Sequence, residues 1–334
     1  MLIDGYAALS PKASLQPHQY PPTELAGHDV LVKISHCGIC HSDIHLIDND
    51  WQVSTYPLVP GHEIIGEVVA VGTQVTGLRK GIRVGVGWQA GSCGSCAQCR
   101  GGHEQFCARN MATCVGRPGG FATYVIAQDK FAVPIPATLA SDVAAPLLCA
   151  GITVFSPLAR YQVGPGVRVG VVGIGGLGHL AVQFAHQMGA HVTAFSTSAN
   201  KQDEAHRLGA DNFVLSSDTG AMAKTAGTCD LILTTASVDV DWEAFVNILA
   251  PLGTLCVLGA APHPVAVGAF GLIGGNKSIS GSAIGDPTTI ARMLGVAANH
   301  GVAPQIERFA MRDVNAALTK VRANAVRYRA VLAN

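Results

Sequence analysis

The stretch Val167-Arg-Val-Gly-Val-Val172-Gly173-Ile-Gly175-Gly176-Leu177-Gly178 decides the architecture. Residues 167–172 are short, largely apolar and rich in valine, as a strand buried on both faces would be. The glycines that follow fit G-x-G-x-x-G, and a helical pattern over 177–188 comes next. That strand–turn–helix context is what gives the spacing meaning. Glycines allow a tight turn and let a pyrophosphate approach the free N–H groups at the helix start. Outside that context the same glycines would be only a turn. Gly173, Gly175, Gly176, Leu177 and Gly178 therefore form a candidate dinucleotide-binding turn.

Working outward, strands and helices alternate downstream. Strands are expected at 191–196, 212–215, 230–235, 254–258 and 278–282, with helices at 200–208 and 242–249. Such alternation means a doubly wound parallel sheet and an α/β fold. Upstream, short Val/Ile runs at 30–34, 67–71 and 83–86 are broken by Gly and Pro, as in a small antiparallel barrel. The composition changes near Ser141, where a helical stretch over 141–156 begins. After about residue 286 the chain is helical, and a strand is expected at 328–332. A terminal strand needs a sheet to join, so the tail is expected to return to the first domain. The expected division is 1–148 with 286–334, and 149–285.

The 334 residues include 49% hydrophobic and only 13% charged positions, which suits a folded chain with a sizeable core. With 22 basic and 22 acidic residues the net charge is zero, so no nucleic-acid partner is expected. Residues 1–10 lack a basic region followed by an apolar core, and 167–172 is far too short to span a membrane. A cytoplasmic protein with no membrane partner is the expectation. In that setting ten cysteines, several of them clustered, suggest metal ligands before disulfides.

Cys93-Gly-Ser-Cys96-Ala-Gln-Cys99, with Cys107 beyond, gives C-x-x-C-x-x-C-x7-C. Four thiolates so close can close a tetrahedral zinc site; disulfides or an iron–sulfur cluster are the competing readings. A closed site leaves no position for substrate, so its role would be to fold a lobe at about 91–108. A second set is scattered: Cys40-His41-Ser42-Asp43-Ile44-His45, His62-Glu63 and Cys149. A catalytic zinc keeps three protein ligands and one open position, which Cys40, His62 and Cys149 would provide, with Glu63 a transient fourth. By residue type alone, each of these could equally be a packing cysteine or a core histidine.

A site for NAD would carry an acid at the tip of the strand after the glycine turn. Here the tip reads Ser196-Thr197-Ser198-Ala-Asn-Lys201. Hydroxyls and a lysine suit a 2′-phosphate, which points to NADP(H). Alternatively, Lys201 merely solvates a helix start that Ser198 caps.

Together these pieces resemble the medium-chain zinc alcohol dehydrogenases, over nearly the whole chain. Within them the chain is similar to the cinnamyl alcohol dehydrogenase type, most of all to bacterial and cyanobacterial NADPH-dependent aldehyde reductases. The stretches that carry the resemblance are Cys37-Gly-Ile-Cys40-His-Ser-Asp43, Tyr56-Pro-Leu-Val-Pro-Gly-His62-Glu63, the four-cysteine lobe, Leu148-Cys149-Ala-Gly-Ile-Thr153-Val-Phe155, Val172-Gly-Ile-Gly-Gly-Leu-Gly-His179 and Arg327-Tyr-Arg-Ala-Val-Leu332. The resemblance implies a GroES-like barrel domain beside a Rossmann domain. It implies two zinc ions per chain, one catalytic and one structural, and a homodimer, with a tetramer the alternative. It gives Asp43 the orienting of the zinc-binding histidine, Ser42 the substrate oxygen and His45 the end of a proton relay. Thr153 would lie beside the nicotinamide. Ser196, Thr197, Ser198 and Lys201 would select NADP, and Arg329 would belong to the cofactor site. Trp51 and Trp88 fall in segments that line the substrate pocket, although either could be core. The implied reaction is reversible hydride transfer between NADP(H) and aldehydes or primary alcohols of broad range, aromatic ones included. Two other classes compete: a zinc-free quinone or enoyl reductase of the same fold, which would lack the ligand set, and a non-enzymatic nucleotide-binding protein.

Overall fold

In the computed structural model, which describes residues 1–334, the strand before the glycine turn spans Arg168–Val172 and lies inside a six-stranded sheet. The spatial order is Asn212–Leu215, His191–Ser196, Arg168–Val172, Cys229–Thr234, Leu249–Val257 and Ser278–Gly281. Every neighbouring pair in it is parallel. The chain winds outward one way from Arg168–Val172 and then the other way from Cys229–Thr234. The order therefore reverses between them, at the point where open α/β sheets bind ligands. Strands His191–Ser196, Arg168–Val172 and Cys229–Thr234 are buried nearly throughout and have no need of polar alternation. Val172, Phe195, Ile232 and Leu255 are buried together, and Phe195 meets Phe245 edge-on at 5.5 Å.

A second, seven-stranded sheet is largely antiparallel. Its order is Ile306–Ala310, Arg329–Ala333, Asp29–Ile39, Glu63–Val71, Arg83–Val86 and Val133–Pro134, with Tyr124–Gln128 also paired to Asp29–Ile39. The last strand pairs antiparallel to Asp29–Ile39, with Leu332 opposite Cys37. Ile306–Ala310 then adds parallel to that last strand. The tail thus closes the sheet that the N-terminal half began. The chain forms two compact units, Met1–Ile152 with Ile284–Asn334, and Thr153–Ala283. The observed boundary follows residue 152, so Cys149 sits in the first unit and Thr153 opens the second.

Helix starts follow local chemistry. Helix Pro287–His300 begins with Pro287 in its first turn behind Asp286, whose carboxylate accepts the Thr289 N–H at 2.9 Å, and it ends at Gly301 in the left-handed region. The stretch expected as one helix from Ser141 has an irregular centre. Helix Ser141–Pro146 passes into a π-helical turn, Leu147–Gly151, before helix Ile152–Arg160. Ser141–Arg160 is long and apolar enough to cross a membrane, yet 67% of its most apolar window is buried inside the protein. That burial is what a core helix shows.

Candidate active site

Helix His41–Asp48 starts at Cys40, and its first turn organises the site. Asp43 Oδ2 accepts the Cys40 N–H at 2.9 Å. Asp43 Oδ1 accepts the Gly61 N–H at 3.0 Å and the His62 Nδ1–H at 2.8 Å. One fully buried carboxylate thereby ties the helix start to the next strand and fixes the ring. With Nδ1 donating to Asp43, Nε2 carries the lone pair, and it lies 3.3 Å from Cys149 Sγ. Cys149 Sγ is 3.8 Å from Cys40 Sγ. Ligand atoms of Cys40, His62, Glu63 and Cys149 all lie within 4.8 Å of one another. Thiolates bound tetrahedrally at ~2.3 Å from zinc stand about 3.8 Å apart, so this set fits one ion. Cys149 lies in the π-helical turn, the kind of local widening that aims a functional side chain.

Electrostatics couple these donors to one another. Hydrogen bonding from Cys149 draws the Cys40 thiol well below its usual value, and the same contact pushes Cys149 well above. Burial works against protonating His62, but the Asp43 carboxylate and the Cys149 sulfur outweigh it and raise the imidazole. Burial pushes Glu63 up to about 8, although Arg329 opposes this.

Glu63 and Arg329 form a buried ion pair through Oε1 and a guanidinium nitrogen. Arg329 is only 7% exposed, and the side chain it meets in the first unit is Glu63. The other carboxylate oxygen, Oε2, has no hydrogen-bond partner. It points at Gly38, where a Cβ would overlap it. Sequence reasoning did not single out Gly38; the signal was there in Cys37-Gly38-Ile39-Cys40, a glycine inside an otherwise regular strand.

Ser42 and His45 lie three residues apart on helix His41–Asp48, hence on one face. His45 Nδ1 is 2.7 Å from Asp50 Oδ2, and its side chain is 40% exposed. Asp50 is a second residue that sequence reasoning passed over. Four rings run in succession from solvent inward: His45 to Trp51 at 5.2 Å, Trp51 to Trp88 at 6.1 Å, and Trp88 to His62 at 5.0 Å.

In the lobe, Cys96 and Cys99 sulfurs are 3.5 Å apart, Cys93 and Cys107 are 3.5 Å apart, and Cys93 and Cys99 are 3.9 Å apart. All ten cysteines are free thiols, so the disulfide alternative fails. Spacings so near ~3.8 Å suit four thiolates around a single ion. Backbone N–H groups of Ser95 and Cys96 bring the Cys93 thiol down to about 5, into the range where it is a ready ligand.

In the second unit, Gly173 has φ +88°, a conformation that favours glycine, and a Cβ on Gly178 would overlap the Gly173 carbonyl. Over Gly175 a Cβ would meet no atom within 4 Å, leaving open space above the turn. That is the cradle a pyrophosphate needs at the start of helix Gly178–Gln187. Ser196 ends the neighbouring strand, and its Oγ accepts the Ser198 N–H at 3.1 Å. Thr197 and Ser198 are exposed, while Lys201 is half-buried with its ammonium 3.7 Å from Glu204. Thr153 is half-buried at the start of the second unit.

Comparison with known proteins gives the same assignment. Residues 26–137 match the alcohol dehydrogenase GroES-like domain, and residues 176–299 match the zinc-binding dehydrogenase domain. An aldehyde reductase AdhA from Synechocystis is 40% identical over 333 residues, covering 100% of this chain and 99% of that protein. A cinnamyl alcohol dehydrogenase from Sorghum bicolor superposes with a TM-score of 0.94 at 40% identity, covering 100% of this chain and 98% of the other. The cinnamyl alcohol dehydrogenase of Helicobacter pylori, solved with NADP(H), gives 0.90 at 31% identity over 100% and 98%. The Asp43-braced donor set, the glycine turn and these full-length matches lead to one conclusion: the chain belongs to the zinc-containing medium-chain alcohol dehydrogenase family, of the cinnamyl alcohol dehydrogenase type.

Proposed function

We propose that this alcohol dehydrogenase is a zinc-dependent, NADP(H)-linked aldehyde reductase that reversibly interconverts aldehydes and primary alcohols. The observation that carries the reading is the convergence of Cys40, His62 Nε2 and Cys149 around one point, braced from behind by Asp43. Cys93, Cys96, Cys99 and Cys107 would hold a second, structural zinc. Zinc bound by the first set would supply Lewis acidity to a carbonyl oxygen, and NADPH would supply the hydride.

The chain's own residues have the remaining tasks. Asp43 fixes the His62 tautomer and keeps Nε2 available. Ser42 holds the substrate oxygen and passes its proton, and His45 exchanges that proton with solvent. Asp50 keeps the His45 ring in place through Nδ1. Trp88 packs edge-on against His62 and Trp51 against Trp88, an aromatic lining that favours aldehydes carrying a ring. Arg329 holds Glu63 by one oxygen and leaves the other open, as a transient fourth ligand requires. Gly173, Gly175, Gly176, Leu177 and Gly178 would hold the cofactor, with Thr153 a further contact in the same unit. Thr197, Ser198 and Lys201 meet the 2′-phosphate, on a loop that Ser196 shapes. The relative solved with NADP(H) and the lack of an acid at Ser196 support that choice. A cytoplasmic homodimer completes the reading.

The test is a panel of aliphatic and aromatic aldehydes assayed with NADPH and with NADH, alongside metal analysis. The expected result is about two zinc ions per chain, NADPH preferred, and a shift towards NADH in Ser196→Asp combined with Lys201→Ala. A wild type that prefers NADH, or iron in the lobe, would overturn the corresponding part.

A further inference from the structure

The loop that faces the 2′-phosphate holds no acid in sequence, but the fold supplies one. Strand His191–Ser196 ends beside the glycine turn, with Phe195 level with Val172. The chain then makes a single tight turn, Ala199–Lys201, and enters helix Gln202–Arg207. Glu204 lies on that helix three residues after Lys201, hence on the same face. Its side chain is only 4% exposed, and Oε2 stands 3.7 Å from Lys201 Nζ, whose side chain is 26% exposed. A carboxylate shut off from water needs a nearby positive charge, because desolvation costs several kcal/mol for an unpaired ion. Lys201 is therefore bound to a task in the protein before any cofactor arrives. Its ammonium is held towards the helix, and part of its charge is already neutralised.

We propose that Glu204 is a positioning residue that sets the strength of cofactor discrimination. It holds Lys201 at the loop and offsets the lysine charge that a 2′-phosphate would meet. The preference for NADP(H) is accordingly weaker than Lys201 alone would give. The inference rests on the reading that this loop meets the 2′-phosphate.

Binding of NADP+ and of NAD+ to the metal-loaded protein, measured by calorimetry without substrate, tests both readings separately. Four forms are compared: wild type, Glu204→Gln, Lys201→Ala and the double variant. In Glu204→Gln, NADP+ should bind at least about threefold tighter and NAD+ should be unchanged, since only the former carries the extra charge. The gain should disappear in the double variant, because it acts through Lys201. Glu204→Met, which fills a similar buried volume without charge, should behave as Glu204→Gln and serves if the amide variant misfolds. If Lys201→Ala collapses the NADP+ preference while neither Glu204 variant raises it, the proposal for Glu204 is wrong and the loop reading stands. If Lys201→Ala leaves the ratio of affinities unchanged, the loop does not read the phosphate and both fall. A gain that persists without Lys201 also overturns the positioning role.

Discussion

At the scale of single residues, the site depends on what each side chain is denied as much as on what it offers. The unpaired oxygen of Glu63 has room where it lies because Gly38 carries no side chain. Gly38→Ala should therefore force Glu63 or the strand to move, costing roughly 1–3 kcal/mol of stability. Turnover should drop with it; a variant with unchanged melting temperature and kcat would show that the glycine is not needed for this. Cys149 has a different dependence. Cys149→Ala removes one of three donors, so turnover should vanish and metal content fall by one ion per chain, with the lobe metal retained. Near-normal activity with one zinc fewer would refute the ligand set. His45 is outside the donor set, 40% exposed and held by Asp50. His45→Ala should slow alcohol oxidation on the order of a hundredfold, most strongly at low pH where proton release is hardest, and leave metal content intact. Loss of metal on that substitution would contradict a relay role.

At the scale of elements, what could be read in advance was what is local in the chain. The glycine turn, the four-cysteine lobe and the Asp286–Pro287 helix start each declare themselves within about a dozen residues. The donor set does not, because Cys40 and Cys149 are 109 positions apart and only the folded first unit brings their sulfurs together. The π-helical turn around Cys149 was hidden for a related reason: its sequence is as apolar as the helix on either side. Strand Ile306–Ala310 was missed because it lies at the end of its sheet, with Arg308 exposed, the other residues half-buried and two of the five charged. Gln16–Tyr20, with Pro17 inside it, pairs with one partner only, which is where a strand tolerates proline. Adjacent strands of the parallel sheet are also joined by charge. Arg168 meets both oxygens of Asp230, at 3.0 and 2.6 Å, and its backbone N–H adds a third bond to that carboxylate at 2.9 Å. The Arg168 contact holds the Asp230 carboxyl below its usual value. A carboxyl lowered in the folded state stabilises above the unfolded value of about 3.9 and loses that contribution as pH falls through the folded one. Asp230→Asn should thus lower the melting temperature at neutral pH. The gap between the two proteins should close on acidification below about pH 4. A gap independent of pH would assign the effect to packing.

At the scale of the whole molecule, the two halves of the chemistry belong to different compact units. Both thiolate-rich donor sets fall within Met1–Ile152 and Ile284–Asn334, whereas the glycine turn and the Ser196–Lys201 loop fall within Thr153–Ala283. The second unit has its own buried cluster, including Phe195, Trp242, Phe245 and Leu255, and its own sheet. The lobe around residues 93–107 has little of this kind. Its regular structure is one helical turn, Ala97–Arg100, and a three-residue turn, Glu104–Phe106, so the four sulfurs are what gather it. Metal binding and folding are coupled where the ligands are also the core. Stripping metal with a strong chelator should therefore act unequally. Turnover should disappear first, because the catalytic set has an open position, while the closed set releases its ion more slowly. As the second ion leaves, protease sensitivity should appear within the lobe, and melting of the first unit should shift to lower temperature. The nucleotide should continue to bind the stripped protein with nearly its original affinity, since none of its proposed contacts in the second unit involves a metal ligand. The measurement is metal content, turnover, NADP+ affinity and the position of proteolytic cuts followed together during chelation. Loss of nucleotide affinity in step with the first ion would show that the units do not hold their sites independently.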